Sequence, residues 1–218
     1  MLENIDQFEK LSPEMNIFVL MTFMSLIPLL LVAMTTFTRN LIVLSFLRHA
    51  LGLQQSPPNL VIIVLSLVIT FLTMQPILKN AYDKGVTPYT KNEMKFAEAV
   101  RQSWSPLREF IVLQTQERDV AFIYKMAKVD RPDKIEDVEF QFLVPAFMLS
   151  ELKLAFKIGF VIFLPFLLID LVIAAMLTAL GMIMVPPVTI SLPIKIMLFV
   201  VIDGWELITQ VLVTSVVT

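Results

Sequence analysis

Hydrophobic positions in this chain rarely alternate with polar ones; they run on. Ile17 to Met34 is an uncharged apolar stretch, and Leu60 to Leu78 is a second. Each approaches the ~20 residues that an α-helix needs to cross a hydrocarbon core of ~30 Å. Both are therefore predicted as spanning helices, the first kinked at Pro28. Between them, residues 35–59 read as a polar connector holding a helical piece, Asn40 to Leu51. Gly52 suits its C-cap, and Pro57–Pro58 forces a stop.

The pattern changes at residue 79. Thr90-Lys-Asn-Glu93 has the form of a capping box, in which the Thr hydroxyl and Glu carboxylate satisfy free backbone N–H groups. Met94, Ala97, Val100 and Trp104 follow at helical spacing. Ser105–Pro106 reads as the start of a second helix, with Ser as N-cap and Pro at N1. Its stripe, Leu107, Phe110, Ile111, Gln114, Ala121 and Tyr124, is broken and reaches about Lys128, before a turn at Arg131-Pro132-Asp133. Residues 79–140 thus predict a small helical lobe, too small to be an enzyme by itself.

From Phe142 to Met184 the chain is again apolar, and too long for one crossing at 1.5 Å per residue. Gly159 and Pro165 are the expected break points. Val185–Pro186–Pro187 reads as a tight turn, and Ile190 to Val217 as a second apolar arm. The fold expected is an all-α membrane protein. It has three regions: apolar helices and connector over 1–78, the polar lobe over 79–140, and a kinked helical hairpin over 141–218.

Composition agrees with this reading. Of 218 residues, 57% are hydrophobic and 17% charged, with a mean hydropathy of +0.79. A soluble fold this apolar could not cover its surface with polar groups, so lipid or partner chains must cover it. The net charge of −2 comes with no basic stripe for nucleic acid. The absence of cysteine excludes disulfides, thiolate catalysis and Cys-ligated metals.

Residues 79–139 hold 22 of the 36 Lys, Arg, Asp and Glu side chains, which makes the few elsewhere conspicuous. Arg39 and Arg48 are the best candidates for a positive-inside loop, which would place lobe 79–140 outside the cytoplasm. Residues 1–15 are acidic and lack the basic start of a secretory signal. The expectation is a chain either already processed or inserted by its first span.

Candidate chemistry is sparse. His49 is the one histidine and makes neither a triad nor a metal site. No phosphate-binding glycine motif and no HExxH occur, so neither catalysis nor a cofactor or metal is expected. Ionisable residues inside apolar stretches are a different matter, because a charge in lipid must pair, snorkel or line water. Glu151 and Lys153 lie near one end of their stretch, where snorkelling suffices. Asp170 and Lys195 lie deeper, on the two arms of the hairpin. Pairing of Asp170, Glu151 and Lys195, within or between subunits, is expected to serve assembly rather than ion transport. Gly181-Met182-Ile183-Met184-Val185 forms the hairpin tip. Methionine fills irregular gaps, so the tip is either ordinary packing at a bend or a deformable seal.

Several blocks together resemble the FliP family of flagellar type III export-gate proteins. They are Thr35-Thr-Phe-Thr-Arg39; Leu47-Arg-His-Ala-Leu-Gly-Leu-Gln-Gln-Ser-Pro-Pro-Asn59; Pro106-Leu-Arg-Glu-Phe110; Val144-Pro-Ala-Phe147 with Ser150-Glu-Leu-Lys153; Phe166-Leu-Leu-Ile-Asp170; Gly181-Met-Ile-Met-Val-Pro-Pro187; and Ile202-Asp-Gly-Trp205. The injectisome counterpart, SctR, is similar in most of these, but Ser150–Lys153, the Pro-Pro turn and Asp203–Trp205 look more flagellar.

The resemblance implies a non-enzymatic role. Five copies would join four FliQ and one FliR, with FlhB, in an export gate at the flagellar basal body in the bacterial inner membrane. Unfolded flagellar subunits would pass through its centre. The family's Met-rich gasket falls on Met182, Ile183 and Met184, with Ile in the middle place where many members carry Met. Its inter-subunit ion pair falls on Glu151 and Lys195, with Asp170 as a further buried acid, and Gly181, Pro186 and Pro187 form the turn. It also implies that some apolar helices face other subunits rather than lipid.

Two alternatives stay open at this level: an injectisome export-gate subunit, and a small ion-coupled transporter or channel using Asp170 and Lys195. The transporter reading expects paired broken helices or an internal repeat, and the sequence has no visible repeat.

Overall fold

A computed structural model describes residues 13–216, and every regular element among them is helical. The acidic start of the chain lies outside the described residues. The helices are α1 (Pro13–Met34), α2 (Phe37–Ala50), α3 (Asn59–Ala81), α4 (Thr87–Thr90), α5 (Phe96–Gln114), α6 (Glu117–Ala127), α7 (Phe140–Ala179), α8 (Pro187–Val201) and α9 (Gly204–Thr214). A single π-helical turn, Tyr82–Val86, joins α3 to α4. Asn59–Thr90 and Phe140–Ala179 are each long and apolar enough to cross a membrane. Two bent pairs, Pro28–Met34 with Phe37–Ala50 and Pro187–Val201 with Gly204–Thr214, qualify if each counts as one span. The chain is an all-α membrane protein.

It divides into two compact units. One contains described residues 13–35 and 74–150. Its core gathers Phe110, Ile111, Val120, Tyr124, Val138, Leu143 and Phe147, all at most 4% exposed. Phe110 meets Phe147 edge-on, with ring centroids 6.0 Å apart. Ser150 Oγ donates to Asp119 Oδ2 at 2.7 Å and accepts from the Gln116 backbone N–H at 3.0 Å. A Ser side chain from α7 thus serves as the polar partner at the start of α6.

The local sequence signals in this unit gave way to packing. The capping box at Thr90–Glu93 does not form: α5 starts at Phe96, Lys95 provides no side-chain cap, and Thr90 Oγ1 instead bonds the carbonyl of Thr87. Nor does Ser105–Pro106 begin a helix. Pro106 sits inside α5 and is buried there. A proline in a helix interior costs about 3 kcal/mol. It is accommodated because Ala99, Phe110 and Ile111, on both sides of it, bury one continuous face.

The second unit contains residues 36–73 and 151–216. Its core joins Val43, Leu44 and Leu47 of α2, Ile62 and Ile69 of α3, Ala155 and Phe166 of α7, Phe199 of α8, and Ile208 and Leu212 of α9. The expected polar connector is therefore a core helix. α2 buries Arg39 and Asn40 along with its apolar residues. At its end Gly52 takes φ +77°, with Gly52 N–H on His49 O at 3.0 Å and Leu53 N–H on Arg48 O at 3.1 Å. This pair of bonds is a Schellman motif, which favours glycine at the left-handed position.

α7 does not break at Gly159 or Pro165. It runs unbroken for 40 residues, about 60 Å at the α-helical rise. Gly159 is there for clearance, since a Cβ would sit 2.8 Å from the Phe46 ring. The break falls in the other arm, where α8 and α9 meet at an angle of 65°. Asp203 occupies the left-handed region at φ +51°, and Gly204 packs directly on the Phe199 ring, which a Cβ there would have to displace.

Candidate functional site

The turn between α7 and α8 is built from the residues that the hairpin reading singled out. Gly181 has φ +75°, its N–H bonds Thr178 O at 3.0 Å, and Met182 N–H bonds Leu177 O at 2.9 Å. This second Schellman motif closes α7. Pro186 is the N-cap of α8 and Pro187 its first residue, where a missing N–H costs nothing. The loop between them holds Met182, Ile183 and Met184 outward, at 45%, 82% and 95% exposure. Three large apolar side chains on a backbone pinned at both ends would be costly to leave in water.

Behind the tip, Asp170 of α7 and Lys195 of α8 are joined. Lys195 Nζ lies 2.5 Å from Asp170 Oδ2 and donates also to the Ala50 carbonyl at 3.1 Å. Ser191 Oγ donates to Asp170 Oδ1 at 2.6 Å. The Lys side chain is almost sealed, at 4% exposure, whereas that of Asp170 keeps 28%. One ion pair thus ties α7, α8 and the end of α2 together. Lys195→Met is expected to destabilise the chain by about 1–3 kcal/mol, the usual cost of an orphaned polar group. Asp170→Asn in the same chain should recover part of that loss. Denaturant titration in mild detergent measures both.

Glu151 has a different partner. Arg39 grips it with two parallel bonds, Nε to Oε2 at 2.8 Å and Nη2 to Oε1. Arg39 Nη1 also donates to the Ser215 carbonyl at 3.0 Å and to its hydroxyl at 2.8 Å. Both ionic side chains are sealed, at 0% and 2% exposure. Within one chain, then, Asp170 and Lys195 come together, and Glu151 is held by Arg39.

Sequence reasoning missed Arg39 as a buried group, along with a polar seam beside it. Asn40 Nδ2 donates to Thr70 Oγ1 at 3.0 Å, and the Thr36 and Thr73 hydroxyls lie 3.0 Å apart. Ser66, Thr70 and Thr73 are all buried. Their spacing of four and three residues puts them on one helix face, and that was the available signal. Among the described residues no group of three His, Asp or Glu side chains is placed to hold a metal ion.

A model of the FliP family matches residues 20–212. This chain belongs to the FliP family. Its relatives include the flagellar biosynthetic protein FliP of Pectobacterium carotovorum subsp. carotovorum, 47% identical over 197 residues, covering 90% of this chain and 76% of the relative. The protein of the same name from Bacillus subtilis (strain 168) is 44% identical over 207 residues, 95% of this chain and 94% of the relative. That from Aquifex aeolicus (strain VF5) is 40% identical over 202 residues, 92% and 84% respectively. The matched region contains every FliP-like block quoted above, the tip and both buried ion pairs.

Proposed function

We propose that this FliP-family chain is a pore-forming core subunit of the flagellar type III protein export gate, and not an enzyme. The observation that carries the reading is the hairpin tip. Its Met182-Ile183-Met184 loop projects beyond two capped helices, with Met184 at 95% exposure. Its relatives are named for flagellar biosynthesis. Several such tips meeting on an axis would bury their side chains against one another and close a channel. Thioethers and flexible chains deform readily, so an unfolded polypeptide could push through and the seal re-form.

In this reading the subunit works as a homo-oligomer of five copies in the bacterial inner membrane, at the flagellar basal body. FliQ, FliR and FlhB are its partners, unfolded flagellar subunits its cargo, and residues 79–140 its extracytoplasmic lobe. The Asp170–Lys195 pair sets α7 against α8 and the Arg39–Glu151 pair sets α2 against α7, so that the tips converge. Exposed apolar residues on α7, such as Phe160, Leu168 and Leu171, would then face neighbouring subunits or lipid.

Met182→Ala combined with Met184→Ala removes most of the seal's volume while leaving Gly181, Pro186 and Pro187 to form the turn. The double variant is expected to leak small solutes across the membrane where the wild type does not, with the complex still assembled. Unchanged leakage from a fully assembled complex would remove the gasket from the mechanism.

A further inference from the structure

We propose that Lys157 of one copy meets Asp203 and Glu206 of the next, a head-to-tail ionic contact that repeats around a ring. This rests on the multi-copy reading above and adds the residues by which copies recognise one another.

The unit containing α2, α8 and α9 satisfies most of its charges internally. Arg39 pairs with Glu151, Lys195 pairs with Asp170, and Arg48 donates to Asn59 Oδ1 at 2.6 Å. Lys157, Asp203 and Glu206 are exposed. Among the described residues no ion pair engages them. Lys157 stands on an exposed face of α7 one turn beyond the also exposed Lys153, and its other neighbours there, Phe156, Phe160 and Val161, are apolar. Asp203 and Glu206 stand at the α8–α9 corner, beside exposed Trp205. Two small charged sites of opposite sign thus interrupt an apolar surface.

They cannot satisfy one another within a chain. Phe166 of α7 lines an apolar cavity together with Gly204 and Ile208, and so faces the α8–α9 corner. Lys157 precedes Phe166 by nine residues, which at 3.6 residues per turn places it about half a turn away around the helix. The ammonium and the carboxylates therefore look out from opposite sides of the unit. A patch on one side complementary to a patch on the other makes a heterologous contact, which repeats from copy to copy and forms a ring where the rotation closes and a helical array where it does not. Pairing also removes the cost of leaving these charges against lipid or apolar protein, and like-charge repulsion disfavours other registers.

The chain has no cysteine, so introduced thiols report on chosen positions alone. Lys157→Cys combined with Glu206→Cys, or with Asp203→Cys, should give a series of covalent multimers when the native complex is treated with a short thiol-to-thiol cross-linker. Each single-cysteine variant should give none. A complementary measurement uses charge. Lys157→Glu should lower the assembled fraction about tenfold, in line with coupling energies of close interfacial charge pairs. Adding Asp203→Lys and Glu206→Lys should restore it. Cross-links confined to one chain would overturn the proposal. So would the absence of multimers from both pairs in a complex whose native mass still corresponds to several copies. A monomeric native mass for the wild type would instead overturn the multi-copy reading itself.

Discussion

Replacing Arg39 with methionine is expected to destabilise the folded chain by about 3–5 kcal/mol, the largest effect of any single substitution in the α2–α9 unit. The reason is geometric. Glu151 is 1% exposed and receives two bonds from the guanidinium. Removing Arg39 leaves a carboxylate with no route to water, and strips the Ser215 carbonyl and hydroxyl of their donor. Lysine would not substitute, because a point charge cannot reproduce the paired planar bonds. Arg39→Met with Glu151→Leu replaces both charges by apolar volume and is expected to recover most of the loss, since well-packed hydrophobic residues often match a buried ion pair. Denaturant titration in mild detergent would measure both variants. A loss below about 1 kcal/mol for Arg39→Met, the range of exposed pairs, would mean that the pair is wet in the assembled protein.

The second large effect is expected at Gly85→Ala. Gly85 lies in the π-helical turn after α3, where it is crossed by α5. A Cβ there would collide with Ser103 Oγ and the Ala99 backbone carbonyl, and would sit 2.9 Å from Ser103 Cβ. Overpacking of this kind costs about 1–3 kcal/mol, and the upper end applies because a carbonyl fixed in a helix cannot move aside. Adding Ser103→Ala relieves the hydroxyl clash and not the carbonyl one, so it should restore only part of the stability. Full recovery in the double variant would show that α5 shifts as a body. Gly204→Ala meets the Phe199 ring instead, a side chain that can rotate, and its cost should be smaller.

Both residues were poorly legible from sequence. Gly85 looked like any glycine in a polar segment, because nothing near it in the chain announces that α5 will pass over it. Arg39 looked like a loop cation setting membrane orientation. Its partner lies 112 residues away, and no local pattern reveals a contact at that separation. The capping box at Thr90 and the Ser105–Pro106 start failed for a related reason. They are worth about 1 kcal/mol each, and burial of one continuous apolar face along α5 outweighed them.

What the sequence determined by itself was the class of molecule and the punctuation of its helices. Long uncharged apolar runs require lipid or protein on their surface whatever the fold, so the all-α membrane character followed from composition and length. Gly52 and Pro187 were readable because a left-handed residue or a missing N–H acts within one turn of the backbone. The blocks from Thr35 to Trp205 carried the family. Only the tertiary structure decided which charges pair, that α7 stays whole past Gly159 and Pro165 while the other arm bends at Asp203, and that α2 is core rather than connector. Those outcomes depend on distances between residues far apart in the chain. They were settled by packing and desolvation, which act on surfaces that exist only once the chain has folded.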